Sequence, residues 1–498
     1  MIANRTRSIG VRLTVLALLV AAVVSLADGA ASAQPARVAV GSTVVGPSVA
    51  PGFVGIATEF WDVEKEVGTD PAHPDPAFEQ LLRNLAPYGG LTLRIGGDST
   101  DWGWWPIPGM QQPPWVRWTM TPTWAAVTKR LVQDLHAHLI VGLNMEAGSA
   151  KIDVAELREL RLAVAGSAPV TYELGNEPEL YSHFPFYHNK AGKAVLGRPK
   201  GYSYPDIATQ WNQLAAALPG VALAGPGFSG TSALPYLSQF LTASPRLSLL
   251  TVHTYPLKSK RCNGGVNLQE GQLFEPSSLQ QLASQIGSWV SVAGQHRVSL
   301  RVDEMNSVTC GGLPGFSGSF GPALWALNIL PLYAEAGVIG VNFQTRPDTA
   351  QNLIQPQQTS AGWRVQVMPE YYGLLTFAQL TPPGSKLLRV TAAHRGLLSW
   401  AVLTPQGQEH VVVTNITGKA SELAVSAAGA RGPATVESLR AGTGGLRAEG
   451  GVTLAGQRIS ASTGALTGAL QQLTVRPTGR AYHVTVAADS AAIITFKR

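Results

Sequence analysis

The stretch "VTYELGNEPELY" runs from Val170 to Tyr181. Glu173 and Glu177 stand four residues apart in it, the spacing of neighbours on a helix face. Val170, Thr171 and Tyr172 favour a strand, however, and Gly175 and Pro178 interrupt any helix across the pair. The stretch therefore reads as a strand with Asn176 and Glu177 at its tip. Side chains alternate along a strand, so Glu173 and Gly175 share a face, as Glu177 would if the strand reached it. Glu173, inside the strand, suits a structural ion pair. Glu177, at the end and fixed by Pro178, is better placed for chemistry.

Seven more runs of this kind surround it: "FVGIATEF", "LTLRIGGD", "LIVGLNM", "VALAGPG", "LLTVHTYP", "LRVDEMNS" and "VIGVNFQT". Segments of helical period lie between most of them, such as "PAFEQLLRNLAPYG", "TWAAVTKRLVQDLHAH", "YPDIATQWNQLAAAL" and "SLQQLASQIGSWVSVAG". Strands that alternate with helices imply a parallel sheet. Eight such units in about 300 residues predict a (β/α)8 barrel, placed over residues 51–368. A doubly wound sheet would need a Gly-rich phosphate turn after its first strand, and "GIATEFWD" has none.

Beyond Met368 the pattern changes to short β-like runs between Gly, Ser and Asn turns, among them "LLSWAVLT", "EHVVVTNIT" and "AAIITFKR". Residues 369–498 are thus expected to form an all-β sandwich. The extended segment 34–50, with "RVAVGSTVVGPSVA", is a candidate to join it.

The chain has 498 residues, 45% hydrophobic and 14% charged, which suits a packed globular protein of two domains. Its net charge of +6 is spread thinly. No Lys/Arg run of the kind that marks a nucleic-acid arm is present, so no nucleic-acid partner is expected. Arg5, Arg7 and Arg12 precede the apolar "LTVLALLVAAVVSLA" and then "AASAQ". This pattern predicts a signal peptide over 1–33, cleaved after Ala33, and a secreted or periplasmic mature chain. No later segment is apolar enough to span a membrane. Cys262 and Cys310 are the only cysteines, and in an exported chain a lone pair is expected to form a disulfide. No cluster has metal-ligand spacing, so neither metal nor cofactor is expected.

Functional residues of such barrels gather at the C-terminal strand ends. Read in order, these ends carry Glu59; Arg94 and Asp98; Asn144 and Glu146; Asn176 and Glu177; His253 and Tyr255; Asp303, Glu304 and Asn306; and Asn342 and Gln344. A mouth rich in carboxylates and amides suits glycosidic bond cleavage, which needs two carboxyl groups flanking the bond. Alternation points Asp303 away from Glu304, so Glu304 is preferred at the seventh end. His253 reads either as a buried, satisfied histidine or as an orienting one. The tryptophans of "TDWGWWP" either line a sugar subsite or pack the barrel.

"YELGNEP" and "RVDEMNS", with "LRIGGDSTDW" upstream, resemble glycoside hydrolase family 79, the heparanase and β-glucuronidase family of clan A retaining glycosidases. The resemblance covers the barrel and agrees with an all-β C-terminal domain. It implies Glu177 as acid/base and Glu304 as nucleophile in a double displacement, with the carboxyl groups about 5–5.5 Å apart. It further implies that Asn176 holds the sugar 2-OH, that Tyr255 hydrogen-bonds the nucleophile, and that Arg94 lies beneath it. Glu59 and Asp98 would contact sugar hydroxyls. In the loop "SVTCGGLPGF", Thr309 stands where heparanase-like members carry a tyrosine, while Gly311 and Gly312 would offer N–H groups to a uronate. Cys262 and Cys310 would then be neighbours at the mouth. The implied partner is a glucuronic-acid-containing glycan or glycoside. A retaining β-glycosidase for xylose or a neutral hexose is the alternative, and a non-catalytic glycan-binding barrel a further one.

Overall fold

The computed structural model describes residues 35–164, 169–260, 265, 267–392 and 396–497. Eight parallel strands close into a barrel: Val54–Glu59, Thr92–Gly96, His138–Leu143, Val170–Leu174, Leu223–Phe228, Leu247–Thr254, Ser299–Met305 and Val341–Gln344. Each pairs with the next in sequence, and Val341 pairs with Val54 to close the ring. Every one of the eight β-like runs supplies one strand. The four amphipathic segments form helices Pro76–Asn84, Pro122–Leu135, Tyr204–Ala216 and Pro276–Gln295. Each begins with proline in its first turn, where the missing N–H costs no hydrogen bond. Asp75 and Thr121 cap two of them by accepting from backbone N–H groups.

The barrel's interior is layered. Ile140, Ala224 and Leu249 pack together as one buried apolar layer. Nearby, Arg301 donates to Asn342 Oδ1 and to the Gly52 carbonyl. A polar layer around Arg94, Glu173 and Asp303 lies under the mouth.

The segment after Met368 departs from expectation. Residues Pro369–Leu380 form a helix that packs on helix Phe320–Ala336, and the β-rich part starts only at Lys386. Nearly every residue of both helices is buried. A helix buried all round shows no amphipathic period, which is why neither stood out in the sequence. The boundary drawn at 368 falls one helix early.

The β-rich part is one continuous ten-stranded sheet. Ala36–Val44 lies within it, antiparallel to Lys386–Ala392 and parallel to Ser421–Ala427. Alternation sorts its side chains. Ala401, Val411, Val413 and Ile494 enter the sheet's own core, while Trp400, Val402, Val412 and Ile493 join the barrel's. Trp400 meets Phe377 at 5.7 Å, and Asn328 Nδ2 donates to Thr414 Oγ1 at 2.8 Å. The sheet thus packs one face into the barrel's core. Among the described residues, no helix is long and apolar enough to cross a membrane.

Candidate active site

The site grows upward from Arg94, which is fully buried in the second barrel strand. Its Nε lies 2.7 Å from Glu173 Oε2 and 2.9 Å from Asp303 Oδ2. Its Nη1 donates to Glu304 Oε2 at 2.7 Å, and its Nη2 to Asn176 Oδ1 at 3.1 Å. One guanidinium thereby ties together the ends of strands two, four and seven. The two glycines that follow it make room. A Cβ on Gly96 would lie 2.9 Å from the Arg94 guanidinium carbon, and one on Gly97 2.5 Å from Glu59 Oε1. Gly97 also has φ +79°, which disfavours any side chain there.

Asp303 corrects the sequence reading. Strict alternation points it away from Glu304, yet both reach Arg94. The pairing of strands six and seven slips between Val252 and His253, so that His253 faces Glu304 and Asp303 is skipped. A bulge of this kind re-aims one side chain and breaks the period of two.

Glu177 sits just past strand four, with φ 51°. Its N–H donates to the Gly227 carbonyl at 3.0 Å, which anchors the turn on the next strand. Its side chain is 23% exposed, facing the mouth. His253 Nδ1 lies 2.8 Å from Glu177 Oε1 and 3.9 Å from Glu304 Oε1. Tyr255 OH donates to Glu304 Oε1 at 2.7 Å and accepts from Gln351 Nε2 at 3.0 Å.

The charges follow from these contacts. Burial pushes the Glu304 carboxyl up, but the charges of His253 and Arg94 and the Tyr255 hydrogen bond outweigh it, and the group is held below its ordinary value. Burial pushes His253 down, but the charge of Glu304 and the hydrogen bond with Glu177 outweigh it and raise the imidazole to about 10. Asp303 is raised well above the carboxylate range by burial and then by Glu173. Two cations, Arg94 and His253, thus face two firm anions, Glu173 and Glu304, with Asp303 neutral between them.

Glu177, His253 and Glu304 present one polar atom each, all within 4.8 Å of one another. This is the one such group among the described residues. The imidazole is held protonated beside Glu304, and a protonated imidazole has no lone pair to offer a metal, so the group suits proton handling better than metal ligation.

A cavity of about 490 Å³ opens above them. Glu59 lines one side, accepting from Ser99 N at 2.8 Å and from Ser99 Oγ at 2.5 Å. Burial and then Asp98 raise its carboxyl to about 8. Asp98, 51% exposed, faces Arg346 at 4.0 Å, and Arg346 lies 3.9 Å from Glu59. Lys258, exposed, lines the cavity beside Thr309, Cys310 and Gly311. Thr309 N donates to the Leu257 carbonyl at 3.0 Å, so the loops after strands six and seven are joined there. Gly312 is not among the cavity's lining residues, and its N–H already donates to the Thr309 carbonyl at 3.2 Å. Cys262 lies outside the described residues, as does the segment 1–34.

Trp102 and Trp104 do not line the cavity. Trp104 is buried among Trp115, Ile152 and Phe186, and Trp102 stacks between Trp61 and the Arg117 guanidinium. No local pattern marks the bridging position of His253, because its partners come from strands two, four and seven. Arg346, Gln351 and Lys258 were also missed, since they lie in loops beyond the strand ends.

Fold and site together define a (β/α)8 barrel of the glycoside-hydrolase kind, with a carboxylate at the ends of strands four and seven and a separate β-rich domain. A β-glucuronidase from Aspergillus niger is 24% identical over 307 residues, covering 55% of this chain and 55% of that protein. The chain thus spans about half the length of that curated relative. Among solved structures, it resembles a 4-O-α-L-rhamnosyl-β-D-glucuronidase from Fusarium oxysporum 12S in complex with Rha-GlcA. The TM-score is 0.71 at 18% identity, covering 92% of this chain and 100% of that one. A GH51 arabinofuranosidase from Xanthomonas axonopodis pv. citri gives a TM-score of 0.64 at 15% identity, covering 93% of this chain and 100% of that one. No protein-family model matches the chain.

Proposed function

We propose that this chain is an exported retaining β-glycosidase of the family 79 type that cleaves β-linked uronides. The observation that carries the reading is the pair Glu177 and Glu304, whose facing oxygens lie within 4.8 Å at the ends of strands four and seven. Retaining glycosidases hold their carboxyl groups about 5–5.5 Å apart, while inverting ones need about 6.5–9.5 Å to admit a water.

The Glu304 carboxylate attacks the anomeric carbon while Glu177 gives its proton to the departing glycosidic oxygen. The C–O bond to the aglycone breaks, and an ester forms between Glu304 and the sugar. Glu177 then takes a proton from water, which attacks the same carbon and releases Glu304. Arg94 and Tyr255 keep the nucleophile ionised. Asn176, held by Arg94, is oriented for the sugar 2-OH. Glu59 and Asp98 receive hydroxyls on the far side of the cavity, and the protonated Glu59 acts as a donor. The Fusarium and Aspergillus relatives are named as glucuronidases, and Lys258 adds a cation near the loop after strand seven, suited to a uronate carboxylate. Secretion rests on the cleavage pattern ending at Ala33.

A neutral sugar is the second reading. It is favoured by Thr309 in place of the tyrosine and by the engagement of the Gly312 N–H within its own loop.

The test is a panel of aryl β-glycosides with Glu177→Ala and Glu304→Gln. Glu304→Gln is expected to abolish turnover, and Glu177→Ala to accumulate glycosyl-enzyme that azide releases as the β-glycosyl azide. A Glu304→Gln variant as active as the parent refutes the nucleophile. A Lys258→Met variant is expected to lower kcat/KM for the glucuronide about tenfold against the glucoside, the weight of one charge-assisted contact. Equal losses on both sugars favour the neutral-sugar reading.

A further inference from the structure

Phe184 is a large apolar side chain that is 59% exposed and lines the cavity beside Glu177. The other large exposed apolar residues of the described chain, such as Tyr88, Leu162 and Leu473, lie outside this cavity. Its position is built on the same turn as Glu177. Leu180 N donates to the Glu177 carbonyl at 2.8 Å, His183 N to the Leu180 carbonyl at 2.8 Å, and Phe184 N to the same carbonyl at 3.2 Å. The next residues pin the segment down. Phe186 stacks on Trp115 at 5.2 Å, and Arg117 Nη2 donates to the Phe186 carbonyl at 3.3 Å. An apolar ring held in water by a fixed backbone has unfavourable hydration that a ligand can relieve.

The chemistry of the site says which part of a ligand lies there. A general acid at Glu177 donates to the oxygen of the leaving group, so the wall around Glu177 faces the aglycone. That wall is Leu180, Phe184 and Ser229. The Ser229 hydroxyl is engaged, donating to Glu179 Oε1 at 3.0 Å. A second sugar would be held by hydrogen-bonding side chains as well as by a ring face, and the wall around Glu177 offers few of the former. The polar groups of the cavity lie instead at Glu59, Asp98, Gln344 and Arg346, on the opposite strands, and at Lys258, Thr309 and Gln351, in the loops after strands six, seven and eight. A flat apolar alcohol needs only the ring face and the leucine.

We propose that Leu180 and Phe184 form an aglycone subsite for aryl or other flat apolar alcohols, so that the substrates are glycosides of such alcohols and not sugar polymers. This rests on the acid role given to Glu177 above, and it is independent of which sugar is cleaved.

The experiment compares two β-glycosides of one sugar with leaving groups of matched acidity, one flat and apolar and one hydroxylated, in the parent, Phe184→Ala and Phe184→Trp. The sugar is whichever the panel shows to be cleaved. The parent is expected to prefer the apolar aglycone through KM. Phe184→Ala is expected to lower that preference about tenfold, the weight of one partly covered aromatic ring, and Phe184→Trp to restore it. A preference unchanged by Phe184→Ala, or a parent that favours the hydroxylated aglycone, overturns the subsite and leaves the glycosidase reading standing. Failure of the parent to cleave any glycoside overturns both.

Discussion

Replacing Tyr255 by Phe removes one oxygen and little else. That oxygen donates to Glu304 at 2.7 Å. Burial and then the charge of Glu304 hold the phenol well above its ordinary value, so it remains a donor across the working range. A hydrogen bond to a charged group contributes about 1.5–3 kcal/mol. Glu304 keeps Arg94 at 2.7 Å and His253 at 3.9 Å, which absorb part of the loss. The lower figure, about 1.5 kcal/mol, then applies and corresponds to about one pKa unit. Glu304 is depressed in the folded chain, so removal of a stabilising donor moves it upward. The acidic limb of kcat/KM reports the free enzyme's essential base, and it is expected to rise by about one pH unit. Stability follows the same sign. A depressed carboxylate contributes stability above its unfolded value and loses it as pH falls through the folded value, and the variant keeps less of that contribution. The assay is a pH–rate profile on an aryl glycoside, with thermal unfolding at acidic and neutral pH. An acidic limb that stays in place in a folded variant refutes Glu304 as the group that must be ionised.

Arg94→Met removes the cation shared by Glu173, Asp303 and Glu304, and is expected to destabilise the fold by about 3–5 kcal/mol, read from denaturant unfolding. Burial raises Glu59, Glu146 and Glu370 each to about 8, from an ordinary 4.5. Their stabilising protonated forms are fully present below pH 4.5 and are lost as pH rises through 8, so the melting temperature is expected to fall between pH 5 and 8. Each group contributes at most about 1.4 kcal/mol per pH unit in that window, and a flat or rising profile refutes the burial argument. A thiol count on the unfolded, unreduced chain is expected to find none if Cys262 and Cys310 are joined, and two free thiols refute the bridge.

Much of this was legible in the sequence, and for a definite reason. Buried parallel strands are short apolar runs with polar tips, so the eight strands, and the tips that carry Glu59, Arg94, Glu177, Tyr255 and Glu304, stood out one by one. Helices Phe320–Ala336 and Pro369–Leu380 did not, because burial on all sides erases the amphipathic signal. The inward turn of Asp303 depends on a register slip against the neighbouring strand, which no local pattern encodes. His253 illustrates the same limit. Its own run marks it as buried, but what it does is set by Glu177 and Glu304, 76 and 51 residues away along the chain.

The interior glutamate of the opening stretch explains why the mouth can work as proposed. An arginine buried beneath a nucleophile is costly unless its charge is met from below as well as above. Glu173 meets it at 2.7 Å, and Asp303, neutral, adds no second anion. The Arg94 charge is therefore shared between a permanent partner and Glu304. When Glu304 becomes an ester in the double displacement, Arg94 keeps Glu173 and stays paired. His253 has no such reserve. It loses the attraction of Glu304 and retains its contact with Glu177 at 2.8 Å. The imidazole is then held charged less firmly, while its contact with Glu177 persists. Glu173 steadies the site through the cycle, and the charge on His253 is the part of it that responds.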